Sequence, residues 1–315
     1  MPRRAHSLIL ASAMLALIAC GSPMNDKVNN SSSLPGKSKG IPKDPPLYSG
    51  TQYTIGIVQF DNKIPVKISN AGEIATKILK EKLNGAGLKA ILLDPKTSLE
   101  EEKLTAPLQS RNIKNISARA SDDINDPDYR LSATITAYTE VEERIDTLVF
   151  QKKVIVARIV LEYTLIDLIS GKSLLSESVP GEYRKDITDT SRSGSTPIID
   201  SSFFYGALRD ALGKSTEKMV RKLSNMPFQG KVLSVHNQDV ILKAGTRSKL
   251  EESDQLDVYH LGEAILDLNS GKIIGYLESK VGVIEIKAHL DENLSKAGIV
   301  SGIGIQVGDI VRQTP

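Results

Sequence analysis

The spacing of apolar residues changes twice early in the chain, and the changes predict a β-α-β unit. Residues 54–60 form a run of strand-forming side chains, which is typical of a buried strand. Apolar residues then recur at helical spacing over 71–83, and Asn70 with Glu73 predicts a capping box at the start of that helix. After two glycines that end the helix, residues 88–93 predict a second buried strand.

Longer alternating runs follow and predict an antiparallel sheet. A second capping box, Ser98 with Glu101, predicts a short helix before them. The alternating runs, which predict a three-stranded meander, are 129–149, 153–169 and 173–187. Residues 200–224 then predict a long amphipathic helix that packs on this sheet.

The last part of the chain predicts a different class of fold, because it contains short strand signals and no convincing helix. These signals are separated by turns and cover 231–235, 239–242, 255–260, 272–276, 281–287 and 309–312. Short strands at this spacing predict a small closed β-barrel. We therefore expect an α/β (α+β) domain with a mixed or antiparallel sheet and flanking helices, followed by a small all-β barrel-like domain.

The N-terminus has the order of a secretory signal that ends at a cysteine. Two arginines precede the apolar stretch 8–18, and the residues LIAC at 17–20 resemble the lipobox of bacterial lipoproteins. We predict cleavage between Ala19 and Cys20 and acylation of Cys20. The apolar run is about half of the roughly 20 residues that a membrane-spanning helix needs. A plain signal peptide that contains a cysteine by chance is the alternative.

The predicted segments have clear boundaries in composition. They are a signal peptide at 1–19, an acylated cysteine with a disordered tether at 20–50, the α/β domain at 51–228 and the β-barrel domain at 229–315. The tether is rich in Ser, Asn, Pro, Gly and Lys and spans roughly 30 Å as a coil or about 100 Å when extended. Glycine rather than aspartate after Cys20 predicts sorting to the outer membrane, with the protein facing the periplasm.

Charge and composition exclude some classes of function. The chain has 40 Lys and Arg against 38 Asp and Glu, and removal of Arg3 and Arg4 with the signal leaves 38 of each. A neutral chain argues against a nucleic-acid binder. Aromatic residues make up 4% and tryptophan is absent, so no large stacking surface is expected. No disulfide within the chain is possible, because Cys20 is the only cysteine.

The common catalytic and cofactor motifs are not complete in this sequence. The Gly-Lys-Ser triplets at Gly171 and Gly213 lack the glycine that a phosphate loop has five residues earlier. Gly302-Ile303-Gly304 predicts a turn rather than a dinucleotide site. The three histidines of the mature chain lie apart, so no zinc site is predicted, and these are His236, His260 and His289. The acidic run Glu140, Glu142, Glu143 and Asp146 predicts a solvated face.

From residue 54 to 225 the order of elements resembles the CsgG-like lipoprotein family, which includes curli-secretion pores and periplasmic relatives. The phrases that carry the resemblance are TIGIVQF, TITAYTEVEE, VIVARIVLEYTLIDLISGKSLLSESV and FFYGALRDALGKSTEKMVRKL. The best match is LIDLISGK at 165–172, which is similar to a hairpin of that family. Residues 229–315 resemble the C-terminal domain of flagellar assembly protein T.

The sequence departs from a curli-type pore at both places where the family inserts membrane hairpins. Residues 136–157 and 182–202 are rich in charged side chains, which a lipid-facing strand does not tolerate cheaply. We therefore expect an anchored, non-enzymatic scaffold without cofactor, metal or small-molecule substrate, whose partner is a periplasmic protein or a second copy. The alternatives are an oligomeric secretion channel, an activator of a peptidoglycan synthase, and a hydrolase that depends on one of the histidines.

Overall fold

The computed structural model describes residues 47–65, 68–94, 126–146, 151–187, 201–268 and 273–313. All of them lie in one compact unit, Ser38–Pro315. They form two sheets and two long helices, in agreement with the predicted mixed sheet and second antiparallel sheet. Among these residues, no helix is both long and apolar enough to cross a bilayer. The predicted signal peptide, most of the tether and the helix predicted after Ser98 lie outside the described residues.

The first sheet combines parallel and antiparallel strands. Its elements and the helices between them are β1 (Thr54–Ile57), β2 (Asp61–Asn62), α1 (Ala71–Gly85), β3 (Lys89–Leu92), β4 (Tyr129–Asp146), β5 (Gln151–Asp167), β6 (Ser173–Ile187) and α2 (Ser201–Ser224). The strand order is β3-β1-β4-β5-β6, and β2 pairs with β4. β1 is parallel to β3 and β4, whereas β4, β5 and β6 are antiparallel. The predicted β-α-β opening, meander and long helix are confirmed.

Helix α1 begins without the predicted capping box. Asn70 precedes it with φ 56° and ψ 25°, and the Asn70 side chain makes no capping hydrogen bond. A capping box needs an extended backbone at this position, so the prediction for Asn70 and Glu73 is wrong. Asparagine accepts the left-handed conformation more readily than most residues do. The helix ends at Gly85 as predicted, and Gly87 has φ 94°.

The two helices cover one face of the first sheet. Alternate residues of β5 from Ile155 to Leu165 belong to the apolar core beneath them. Helix α2 approaches β6 closely at Gly181, where a Cβ atom would clash with the carbonyl oxygen of Ala207. On the other face Arg158 is exposed. The sheet therefore has one face packed against helices, whereas the other face carries exposed polar side chains such as Arg158 together with the buried Val154 and Val156.

The second sheet is antiparallel throughout. Its strands are β7 (Gln229–His236), β8 (Asp239–Leu242), β9 (Gln255–Leu266), β10 (Ile273–His289), β11 (Ser295–Gly302) and β12 (Ile310–Gln313). The hydrogen-bonded order is β10-β11-β8-β7-β12-β9, and β9 pairs again with β10. The ladders thus form a ring around a second apolar cluster, which is compatible with the barrel-like domain predicted.

Strands β10 and β11 of the second sheet differ from the prediction. The runs 272–276 and 281–287 were predicted as separate strands, but they belong to the single strand β10, whose three register shifts against β9 accommodate bulges. The sequence pattern does not predict β11, because its buried positions are the small residues Ser295 and Ala297. Small inward residues leave no clear apolar alternation to recognise.

The contact between α2 and β6 leads to a stability prediction. Gly181→Ala should lower the free energy of unfolding by about 1–3 kcal/mol, because the added methyl meets backbone of α2 that cannot move aside locally. Gly85→Ala is the matched control, since a Cβ there meets nothing within 4 Å, and it should raise stability by up to about 1 kcal/mol. Urea unfolding of the three proteins measures both values. Equal stability of Gly181→Ala and the wild type would contradict the close approach.

Candidate interaction site

The three histidines considered as zinc ligands or catalytic residues each bond to different residues in the structure. The Nδ1 atom of His236 lies 2.8 Å from the Ser234 hydroxyl, and that of His260 lies 2.8 Å from Oδ1 of Asp309. His289 contacts Leu250, with Nε2 donating to the carbonyl oxygen over 2.8 Å. Within the described ranges, no three His, Cys, Asp or Glu side chains are grouped so that they could hold a metal ion. Ala19 and Cys20 lie outside these ranges, so cleavage and lipidation stay predictions.

The acidic side chains of β4 take part in a charged network across the sheet. Arg158 binds Glu143 at 3.3 Å and Glu182 at 3.0 Å, while Arg184 binds the same two carboxylates at 3.3 and 2.6 Å. Hydrogen bonds from Arg184 and then Arg158 lower the pKa of Glu182. Glu142 lies 3.8 Å from Arg144. Within the run predicted as a solvated face, Glu142 and Glu143 are therefore paired with basic side chains of β4, β5 and β6.

The glycine motifs serve as turns or packing positions. Gly171 has φ 68° in the turn between β5 and β6, so the first Gly-Lys-Ser triplet is a hairpin turn. Gly213 is buried inside α2. Gly302 and Gly304 have φ 113° and 83° between β11 and β12, which confirms the predicted turn.

The second sheet extends a two-stranded ribbon beyond its ring, which we call the β9–β10 arm (residues 260–268 and 273–281). Among the described residues, β12 pairs with β9 only over 256–259, and β11 pairs with β10 only over 282–289. Beyond those points β9 and β10 pair with each other alone. The outer edges of the arm are therefore open.

The arm exposes large apolar side chains. They are Ile265, Leu266, Leu268, Ile274 and Leu277, with Leu268 fully exposed at 100% and Leu277 at 56%. An isolated two-stranded ribbon is only marginally stable in water, and clustered exposed apolar residues mark interaction sites. The prediction ended β9 at residue 260 and missed the arm. The apolar residues within LGEAILDL at 261–268, directly after the predicted strand, are the signal that could have revealed it.

A set of polar side chains holds the base of the arm against the first sheet. Arg312 donates two hydrogen bonds to Glu278 of the arm, at 2.5 and 2.9 Å, and one to Oε1 of Gln229 at 3.0 Å. Gln229 donates to Oδ2 of Asp167, the buried last residue of β5, at 3.0 Å. Lys172 lies 3.4 Å from Glu278. The arm is thus fixed in direction relative to the first sheet.

Residues 48–52, which lead from the predicted tether to β1, bind the end of α1 and the turn between β8 and β9. The amide of Tyr48 donates to the carbonyl of Ala86 after α1 at 2.7 Å, and its ring packs against the first core. The Thr51 hydroxyl donates to the carbonyl of Ser248 at 3.1 Å, and the Gln52 amide donates to that of Arg247 at 3.1 Å. Burial raises the pKa of the Tyr48 hydroxyl. The segment that leads from the tether therefore enters where the two sheets meet.

Comparisons with known proteins find similar structures but no family. No family model matches the chain, and no curated protein matches it either. The hypothetical protein CT253 from Chlamydia trachomatis is 12% identical with a TM-score of 0.34, and the match covers 55% of this chain and 98% of that one. The PelC dodecamer from Paraburkholderia phytofirmans is 16% identical with a TM-score of 0.28, covering 58% and 95%.

Lipoprotein GNA1162 from Neisseria meningitidis is 20% identical with a TM-score of 0.26, and the match covers 55% of this chain and 99% of that one. A bacterial lipoprotein is thus among the structures to which this chain is similar. TM-scores below 0.5 carry no argument about its function. The resemblance to CsgG-like proteins has no family match behind it and rests on the quoted phrases alone.

The Arg312–Glu278 pair predicts a pH-dependent stability. Arg312→Met should cost about 1–3 kcal/mol of unfolding free energy near neutral pH, because Glu278 loses two charged hydrogen bonds. Bonding to Arg312 lowers the pKa of Glu278. A lowered folded-state pKa gives stability that is present above the unfolded-state pKa and is lost as pH falls through the folded-state value.

The measurement is urea unfolding of the wild type and Arg312→Met at about pH 7 and about pH 3, where carboxylates titrate. The difference between the two proteins should shrink at the lower pH. Arg312→Lys keeps the charge but loses the bidentate geometry, so its cost should be intermediate. A cost that is the same at both pH values would show that the pair does not act through the Glu278 charge.

Proposed function

We propose that this chain is an outer-membrane lipoprotein, anchored through acylated Cys20, that acts as a non-enzymatic scaffold in an envelope, secretion or surface-appendage system. The β9–β10 arm is the observation that carries the proposal. It offers five exposed apolar side chains on a ribbon without outer neighbours in the described structure, as a docking element does.

The bonds at the base of the arm favour an ordered docking element over a flexible one, as a scaffold needs. Arg312, Gln229 and Asp167 link its base to the first sheet, so the arm and that sheet keep a fixed relation. Binding to a fixed element avoids the entropic cost of ordering a flexible one. The predicted tether would permit search over roughly 30–100 Å from the membrane, and the folded part then presents the arm.

A curli-type secretion channel is the weaker candidate. Its membrane hairpins would be formed by the outer parts of β4, β5 and β6. In that region Arg158, Arg184, Glu143 and Glu182 form one network, and removing such charges from water is expensive. An activator of a peptidoglycan synthase is one form of the proposed scaffold, with the synthase as the partner of the arm.

The anchor is tested by Cys20→Ser in cells. We expect the wild type to incorporate a labelled fatty acid and to sediment with outer membranes, because an acylated N-terminal cysteine holds it there. The variant should incorporate no label and leave the outer-membrane fraction. Wild-type protein that is released without acyl chains would refute the anchor.

The docking role is tested by placing a photo-crosslinking amino acid on the arm. The matched positions are Leu277 on the arm and Leu290 outside it, which are 56% and 54% exposed. Irradiation should yield a discrete crosslinked product from Leu277 and none from Leu290. The product should decrease in Cys20→Ser cells. Equal products from both positions would mean that the arm is no special contact surface.

A further inference from the structure

We infer that the β9–β10 arm of one copy docks on the free half of strand β6 of a second copy. The inference rests on the scaffold function proposed above and names its partner as another molecule of this chain. Two incomplete features carry it: β6 is an edge strand that is protected along only part of its length, and the arm is a ribbon with open edges.

The protected part of the β6 edge lies around Pro180. Oδ2 of Asp210 in α2 accepts a hydrogen bond from the amide of Glu182 at 2.9 Å, and Lys214 donates to the carbonyl of Pro180 at 3.1 Å. Lys214 and Asp210 also bind each other at 2.6 Å. Pro180 itself has no N–H to offer. Proline and charged side chains are the usual means of preventing strand addition at an edge.

In the described structure, the neighbouring part of the same edge has the ion pair of Glu177 with Lys218 beside it but no bond to its outward backbone groups. Backbone groups of alternate residues in an antiparallel strand point the same way, so those of Ser176 and Ser178 point outward like those of Pro180 and Glu182. Both serines are exposed, and no described side chain binds their outward N–H or C=O groups. Two successive outward residues therefore offer hydrogen bonds to an added strand.

A groove beside this free edge has the chemistry for the side chains of such a strand. It lies between β6 and α2, has a volume of about 650 Å³, and is lined by the apolar residues Leu175, Val179 and Met226. Lys218 of α2 binds Glu177 of β6, which also lines the groove, and Lys222 stands exposed at its rim. Strand addition uses main-chain hydrogen bonds for affinity and such pockets for specificity.

The arm has the complementary composition. Ile265 and Leu266 are exposed on β9 where its outer edge is open, and Glu263 lies exposed beside them. One of the two apolar side chains can enter the groove, because neighbouring residues of a strand point to opposite faces, and the Glu263 carboxylate can pair with Lys222 at the rim. The residues that line the groove all belong to β6, α2 and the two positions after α2, so the arm of the same chain does not fill it. A second copy supplies the occupant.

Docking of an arm into a groove is a contact between different surfaces. Each added copy therefore leaves one arm and one groove unused, and the assembly grows until a ring closes or the chain of copies ends. The expected products are multimers larger than a dimer.

A disulfide test in the full chain is direct, because Cys20 is the only native cysteine. Two differently tagged copies are expressed together, one with Ser176→Cys and the other with Ile265→Cys, and isolated membranes are treated with a mild oxidant. A mixed disulfide dimer is expected, since the bond forms only when the two Cα atoms come within about 7 Å. With both cysteines in one chain, a ladder of larger species should appear.

Two controls make the result specific. Ser178→Pro removes one outward N–H but preserves the fold, because Pro180 already occupies an equivalent position, and it should reduce the mixed dimer about fivefold, as for one lost hydrogen bond. Ser178→Ala should leave the dimer unchanged. Leu290→Cys in place of Ile265→Cys should give none.

The inference is overturned if no mixed dimer forms, or if Ser178→Pro or Leu290→Cys yields as much as the test pair. Should the Leu277 photo-crosslink capture a different protein while the mixed dimer is absent, the scaffold function stands and docking between copies fails. If Leu277 gives no product but the mixed dimer forms, docking between copies holds and the scaffold for other proteins fails.

Discussion

The position of the arm depends on one guanidinium group, that of Arg312. It binds Glu278 through two hydrogen bonds and Gln229 through a third, and Gln229 binds the buried Asp167 at the end of β5. A chain of four side chains thus joins the first sheet to a ribbon of the second. The fork of arginine allows this, because three donors in one plane reach two acceptor groups at once.

The edge of strand β6 is blocked by side chains along only part of its length. Asp210, Lys214 and Pro180 close one part of β6, while the outward backbone groups of Ser176 and Ser178 have no partner among the described residues. Protection that stops partway along a strand is what a docking edge needs, because full protection would block a partner and none would invite aggregation. The outer edges of the arm likewise have no strand partner among the described residues. Its exposed apolar residues match the apolar lining of the groove beside β6.

The charges that argue against membrane hairpins have a definite arrangement. Arg158 and Arg184 bridge Glu143 and Glu182 on the face of the first sheet opposite the helices. Ion pairs of this exposure contribute little stability in water. Their significance is that they disfavour insertion of this part of the sheet into a membrane. A paired network of four charges is compatible with water but costs much free energy in lipid. In the proposed function, the contact with the membrane comes from the acylated Cys20.

The sequence by itself determined the elements whose signal is local. The alternation in β4 to β6 and the helical spacing in α1 and α2 come from residues two to four positions apart, and each was predicted close to its observed place. Tertiary structure decided the features that depend on where neighbouring strands end. The arm exists because β11 and β12 stop before β9 and β10 do, and the open edge exists because Asp210 and Lys214 reach only part of β6. The points at which strands end and edges are covered depend on residues far apart in the sequence, so no local pattern predicts them.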